Sequence, residues 1–163
     1  RGATDIRTQI TKIKAVNPEA VYLISNSLDS AVAALRQIKE LSLEVTVFSA
    51  EGLKNANLIN GAKDAAEGMI VASVTSGTSD FLDRHQAEYQ AGPGPFAAQG
   101  YDAFKAIGLA IKNWAKTGPE IKKALYSLSF NGATGRVAFD QNGDVSGNYD
   151  VLVVRNGQFV AEK

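Results

Sequence analysis

The stretch that decides the fold is residues 20–52, AVYLISNSLDSAVAALRQIKELSLEVTVFSAEG. It opens with a short apolar run, residues 20–24, and contains a second one, residues 45–48, followed by a small polar loop. Each run is short and continuously apolar, the pattern of a strand covered on both faces in a parallel sheet. Between the runs, apolar residues recur at helical spacing; they are Leu28, Val32, Leu35, Ile38 and Leu41. The stretch therefore predicts a strand, a helix and a second strand parallel to the first.

The sequence on either side continues this alternation. Before it, residues 6–13 carry isoleucines at helical spacing and predict a helix that ends at Asn17-Pro18. After it, residues 53–59 predict a weaker helix and residues 68–74 predict a third strand. Because βαβ units are right-handed, we expect a three-layer α/β/α sandwich around a parallel sheet, with helices on both faces.

The second half of the chain is richer in helix and ends in β-structure. A helix with one aromatic face is predicted over residues 80–89, and it stops at the Gly-Pro repeat of residues 92–95. A long helix is predicted over residues 96–116, and the turn sequence Asn156-Gly157 predicts a terminal β-hairpin. We therefore divide the chain into four segments, residues 1–77, 78–95, 96–128 and 129–163. We expect the four segments to form one compact unit.

The composition excludes several classes of function. The 163 residues contain 17 Lys and Arg, 17 Asp and Glu, one His and no Cys. Because this charge is balanced, no field holds a phosphate backbone, and we expect no nucleic-acid partner. We expect no metal site, since there is no Cys and only one His. We expect no cofactor and no enzyme activity, since no nucleophile-base pair, phosphate-binding glycine loop or nucleophile elbow is visible. We expect His85 to pack in its helix and residues 140–144 to form a β-turn rather than a calcium loop.

Three loops are the predicted place for a ligand, because solutes bind at the carboxyl ends of the strands in a parallel α/β sheet. These loops, residues 25–27, 49–52 and 74–76, are small and polar, and Glu51 is the only full charge in them. A carboxylate there suits an ammonium group. Glu51 equally fits a first-turn acid of a helix starting at Gly52, and the pattern leaves both interpretations open.

Seven motifs occur in order along nearly the whole chain. They are Asp5-x-Arg7-Thr8-Gln9-Ile10-x-Lys12-Ile13-Lys14, Asn17-Pro18-Glu19-Ala20-Val21-Tyr22, Leu35-Arg36-Gln37, Ala50-Glu51-Gly52, Ala65-Ala66-Glu67-Gly68-Met69, Gly100-Tyr101-Asp102-Ala103 and Gly132-x-Thr134-Gly135-x-Val137-x-Phe139-Asp140-x-x-Gly143-Asp144. Together they resemble the second lobe of type I periplasmic binding proteins, above all the branched-chain amino-acid receptors of ABC importers. Such a lobe is a flavodoxin-like α/β sandwich.

The resemblance implies a non-catalytic, two-lobed solute receptor, periplasmic or anchored outside the cell as a lipoprotein, of which this chain is the carboxyl-terminal half. Residues 96–128 would return to the first lobe. The implied partners are a small-molecule ligand, the missing amino-terminal lobe and the membrane permease of an ABC importer.

The resemblance also implies roles for four residues. Glu51 matches the acid that pairs with a ligand's ammonium group, and Phe96 matches an aromatic position beside the ligand. Asn26 and Ser27 stand where relatives carry tyrosines. This departure leaves the identity of the ligand open: an aliphatic amino acid is the first expectation, and polar amino acids, amides and aromatic acids are the alternatives.

Three alternatives remain open on the sequence. The first is a ligand-sensing regulator of the same superfamily. The second is an excised, stand-alone lobe, which would cover the apolar side of residues 96–116 by repacking or by self-association. The third is a small α/β hydrolase or transferase, for which no catalytic constellation is visible. The chain starts at Arg1 rather than Met, which suggests a processed or excised segment.

Overall fold

The computed structural model describes residues 2–147 and 149–162. Its strands are β1 (Ala20–Tyr22), β2 (Thr46–Ala50), β3 (Ile70–Val74), β4 (Ser129–Gly132), β5 (Gly135–Ala138), β6 (Tyr149–Arg155) and β7 (Gln158–Ala161). Its α-helices are α1 (Arg7–Ala15), α2 (Leu28–Glu40), α3 (Ala56–Ala62), α4 (Ser79–Tyr89), α5 (Ala97–Lys112) and α6 (Gly118–Tyr126). Two short 3₁₀ helices are Glu51–Leu53 and Lys63–Ala66. The chain divides into two compact units, one made of Arg1–Ser73 and Asp150–Lys163 and the other of Val74–Tyr149.

The first unit is built on a five-stranded sheet in the order β1-β2-β3-β6-β7. β1, β2 and β3 run parallel, with Phe48 opposite Ile70 across the second pair. β6 and β7 are antiparallel and joined at Asn156 and Gly157, whose φ angles of 52° and 71° suit a tight hairpin turn. The mixed α/β fold with a mostly parallel central sheet is confirmed, as are the three predicted strands and the terminal hairpin.

The core of the first unit lies between this sheet and the helices α1, α2 and α3. Its buried members include Ile10, Leu35, Leu58, Met69, Val71 and Val154. One buried polar side chain, Gln37 of α2, joins the chain before α1 to α2: its Nε2 donates to the Thr4 carbonyl at 2.7 Å, and its Oε1 accepts from the Ile6 amide at 2.8 Å. Because both ends of the amide are satisfied, the burial of Gln37 costs little.

One face of the sheet is open, and the two-sided burial predicted from the apolar runs is wrong for the described residues. Val47 and Val71 are buried, whereas Phe48 is exposed, Tyr22 is 60% exposed and Ile24 is 75% exposed. The physical reason is the direction of winding. Right-handed connections that advance from β1 through β2 to β3 place α2 and α3 on the same face.

The second unit combines α4, α5 and α6 with a separate hairpin formed by β4 and β5. α5 is shorter than the predicted helix of residues 96–116, because the chain turns at Trp114 with a left-handed φ of 70°. β4 was not predicted as a strand, since its sequence, SFNG, is short and half of it is turn-forming residues.

A buried carboxylate holds the β4–β5 turn against α5. Asp102 accepts hydrogen bonds from the Ala133 amide at 2.6 Å, the Thr134 amide at 2.8 Å and the Thr134 hydroxyl at 2.6 Å. Three donors satisfy the charge, so Asp102 stabilises this turn rather than the candidate ligand site.

The outer side of α5 is an exposed apolar stripe. This α5 stripe consists of Phe104, Ile107, Ile111 and, just beyond the helix, Trp114; Phe104 is 82% exposed and Trp114 83%. Contiguous apolar surface of this kind marks a contact region in soluble proteins. No helix among the described residues is long and apolar enough to cross a bilayer.

Candidate functional site

The candidate site lies at the carboxyl edge of the first unit's sheet. Because β1, β2 and β3 are parallel, their final residues Tyr22, Ala50 and Val74 lie toward one edge. The loops predicted to meet a ligand follow these three ends. The edge is therefore the place where a parallel α/β sheet presents side chains to a solute.

The loop after β1 carries Asn26 and Ser27. Ser25 Oγ donates to the Ser27 carbonyl at 2.8 Å, which folds the loop back on itself. Ser27 Oγ accepts from the Ser30 amide at 3.4 Å and so caps α2. The Ser27 hydroxyl thus has a structural partner, while the Asn26 side chain is exposed. Recognition of a ligand by either residue stays a prediction.

The structure is compatible with both interpretations of Glu51 that the sequence left open. It follows β2 directly and is the first residue of the 3₁₀ helix Glu51–Leu53, so its carboxylate lies in a helical first turn. The same carboxylate is half-buried, and its Oε2 accepts a hydrogen bond from Ser73 Oγ at 2.5 Å. Glu51 therefore connects the end of β2 with β3 at the carboxyl edge of the sheet.

Sequence reasoning missed two polar residues beside Glu51. Ser73 lies in β3 and is 1% exposed, and Lys54 follows the 3₁₀ helix. Lys54 Nζ donates to Ser73 Oγ at 3.0 Å, so Glu51, Ser73 and Lys54 form a continuous hydrogen-bonded group, here called the edge triplet. The available signal was a lone hydroxyl in an apolar strand, but only the pairing of β2 with β3 places it beside Glu51.

Phe96 lies in the second unit, immediately before α5. It has a left-handed backbone with φ of 63°, an uncommon conformation for a bulky residue, and its side chain is exposed. Gln99, in the first turn of α5, donates from Nε2 to the Thr75 carbonyl at 2.8 Å. This bond fixes the start of α5 to the third predicted ligand loop. A contact between Phe96 and a ligand stays a prediction.

A cavity of about 440 Å³ in the first unit lies at the opposite end of the strands. It is lined by Glu44 and Val45, which precede β2, and by Gly68 and Met69, which precede β3. Its charged rim contains an exposed pair in which the hydrogen bond and charge of Lys39 lower the pKa of Asp64. This cavity is therefore distinct from the carboxyl edge.

The other residues singled out in the sequence are structural. His85 packs between Phe81 and Tyr89, with ring centroids 5.9 Å and 4.7 Å away, and its Nδ1 lies 2.9 Å from the Ala91 carbonyl. Asp140 Oδ1 accepts from the Asn142 amide at 2.8 Å and the Asp144 amide at 2.9 Å. The predicted packing role of His85 and the predicted turn at residues 140–144 are confirmed.

Comparison with known proteins agrees with this fold. Residues 1–158 match the model of a family described as periplasmic binding protein. The chain is 28% identical, over 158 residues, to the leucine-, isoleucine-, valine-, threonine-, and alanine-binding protein of Pseudomonas aeruginosa. That match covers 93% of this chain and 42% of the relative.

Two solved structures share the fold. A leucine binding protein from Thermotoga maritima matches with a TM-score of 0.82 at 24% identity, over 99% of this chain and 49% of that one. The branched-chain amino acid transporter substrate binding protein from Streptococcus pneumoniae, in complex with isoleucine, matches with a TM-score of 0.74 at 24% identity, over the same shares. The chain thus spans about half the length of these proteins, or less.

Proposed function

The chain belongs to the periplasmic binding protein family, and from that premise we propose that it is the carboxyl-terminal half of a two-lobed receptor for a small amino acid. The receptor is non-catalytic, works outside the cytoplasmic membrane and delivers its ligand to the permease of an ABC importer. The names of the relatives support this proposal, because they are amino-acid-binding proteins rather than enzymes.

The observation that carries the proposal is the position of Glu51. Its carboxylate is held by Ser73 at the carboxyl edge of a parallel sheet, in a half-buried setting between small polar loops. A carboxylate with a fixed orientation and limited water contact binds an ammonium group more strongly than a surface carboxylate does. Leucine, isoleucine, valine and alanine, which are named for the Pseudomonas aeruginosa relative, carry such an ammonium group on the α-carbon, next to an apolar side chain. We therefore propose leucine, isoleucine or valine as the first ligands to test.

Two exposed apolar surfaces support the proposal that another half of the receptor packs against this chain. One is the open sheet face with Tyr22, Ile24 and Phe48, and the other is the α5 stripe. β1 is also the edge strand of the described sheet, so its outer side can accept another strand. A right-handed βαβ unit that winds away from β1 would place its helix on the open face.

We assign these surfaces to the amino-terminal half of the receptor, because the chain has about half the length of the relatives. In this proposal residues 96–128 belong with the first lobe, and Glu51, Asn26, Ser27 and Phe96 line the ligand cleft. Self-association of the 163-residue chain through either surface is the alternative. Sedimentation of the chain alone and with the amino-terminal half distinguishes a homodimer from a one-to-one complex.

The experiment that tests the function is calorimetry with leucine, isoleucine and valine on the two-lobed receptor and on this chain alone. We expect micromolar or tighter binding by the receptor. We expect millimolar or undetectable binding by the single chain, because it lacks half of the contacts and the closure that excludes water. A receptor that binds none of the three amino acids would contradict the proposed ligand class, and micromolar binding by the single chain would contradict the need for a second lobe.

A further inference from the structure

The direction of the hydrogen bonds in the edge triplet is determined by chemistry. A lysine ammonium can only donate, so Ser73 Oγ accepts from Lys54 Nζ at 3.0 Å. The hydroxyl proton of Ser73 is then directed to Glu51 Oε2, 2.5 Å away. Glu51 must therefore accept at this oxygen, and a cation and an anion are joined through one buried hydroxyl.

We propose that Lys54 is a specificity-determining residue, which makes the edge triplet select a zwitterionic amino acid over a simple amine with the same side chain. The inference rests on the proposed function, because it assumes that the ligand's ammonium group is received at Glu51. Lys54 lies outside the family motifs, and the proposed role of Glu51 as the ammonium-binding acid does not by itself predict a role for Lys54. The feature of the ligand that Lys54 detects is the carboxylate.

A simple amine and an amino acid respond differently to the two charges of the edge triplet. With Glu51 alone, the site would carry one negative charge and would attract any cation. Lys54 adds a positive charge two hydrogen bonds away, so the edge triplet has no net charge. A simple amine then meets repulsion from Lys54, whereas an amino acid offsets that repulsion with attraction between its own carboxylate and Lys54.

Burial strengthens this discrimination. Ser73 is 1% exposed, and both Glu51 and Lys54 are half-buried. Charges in such a setting are screened less by water and salt than a pair on the surface. The positive charge of Lys54 therefore acts on a ligand bound at Glu51 and is not cancelled by solvent.

The test measures the dissociation constants of the two-lobed receptor for leucine and for isoamylamine, which is leucine without its carboxylate. In Lys54→Met the ratio of the amine constant to the leucine constant should fall at least about tenfold, or ~1.4 kcal/mol. Lys54→Arg keeps the charge and should retain the ratio of the natural protein. Lys12→Met is the matched control, since Lys12 is exposed on α1 and the same charge is removed.

Lys54→Gln is the second variant, used if Lys54→Met does not fold, and the same fall in the ratio is expected. An equal loss of affinity for both ligands in the Lys54 variants would overturn the inference, because Lys54 would then only support Glu51. A fall in the ratio with Lys12→Met as well would also overturn it, since net charge alone would explain the effect. If the natural receptor binds neither ligand, the proposed function itself fails, and this outcome is visible before any variant is compared.

Discussion

Replacing Glu51 with glutamine in the two-lobed receptor should weaken leucine binding by at least about tenfold, or ~1.4 kcal/mol. Glutamine keeps the shape and one acceptor oxygen for Ser73, and it removes the charge. Two opposite charges about 4 Å apart attract by roughly 4 kcal/mol at an effective dielectric constant near 20. Loss of one partner in a desolvated pair typically costs about 2–5 kcal/mol. The lower bound is set below this range because Glu51 is only half-buried and the amide retains a hydrogen bond.

Calorimetry with leucine and with 4-methylpentanoate, which is leucine without its ammonium group, separates charge from shape. Affinity for leucine should fall, and affinity for 4-methylpentanoate should change little. Glu19→Gln is the matched control, because Glu19 is exposed and precedes β1, at the opposite edge of the sheet. Unchanged leucine affinity together with a lower melting temperature would refute the reasoning and leave Glu51 as a first-turn acid of the helix Glu51–Leu53.

The remaining predictions concern stability and are measured by urea unfolding of the 163-residue chain. Asp102→Asn should lower the free energy of unfolding by about 2–3 kcal/mol, because an amide cannot accept from all three donors; a change below the error of the fit would contradict this role. Gly132→Ala should also destabilise, since its Cβ would overlap the Asp102 carboxylate; an unchanged urea midpoint would show that the turn relaxes freely. Glu120→Gln should lower the midpoint at pH 7, because the amides of Lys116 and Thr117 hold the pKa of Glu120 below its ordinary value. Because the pKa of Glu120 is lowered in the folded state, its charge adds stability above the ordinary pKa of ~4.3. The difference in urea midpoint between the natural chain and Glu120→Gln should therefore fade as the pH falls through the lowered pKa. A difference in midpoint that stays constant across this pH range would contradict the assignment.

The sequence alone was sufficient for elements whose signals are local. The apolar runs of β1, β2 and β3 and the Asn156-Gly157 turn depend on neighbouring residues, so their patterns predicted them correctly. Glu51 could be selected in the same way, because it is the charged residue that directly follows a predicted strand. The ordered motifs then connected these elements with a family, which the comparison confirmed.

Features that depend on neighbours in space were not predictable from local patterns. Residue composition cannot distinguish a strand covered on both faces from one with an exposed second face, since both carry apolar side chains such as Phe48 and Ile24. β4 was missed for a related reason, because its pairing with β5 and the buried Asp102 stabilise it rather than its own propensity.

The edge triplet shows the same division at the candidate site. The sequence determined that an acid follows β2, but Lys54 and Ser73 carried no interpretable spacing to it. Only the parallel pairing of β2 with β3 brings the Ser73 hydroxyl to the Glu51 carboxylate, and only then does the Lys54 ammonium acquire a partner in the same group. The spacing of residues in a sequence indicates which side chains lie on the same face of one helix or strand. The electrostatic energy of a charge depends on the groups around it, and folding brings those groups together from different elements.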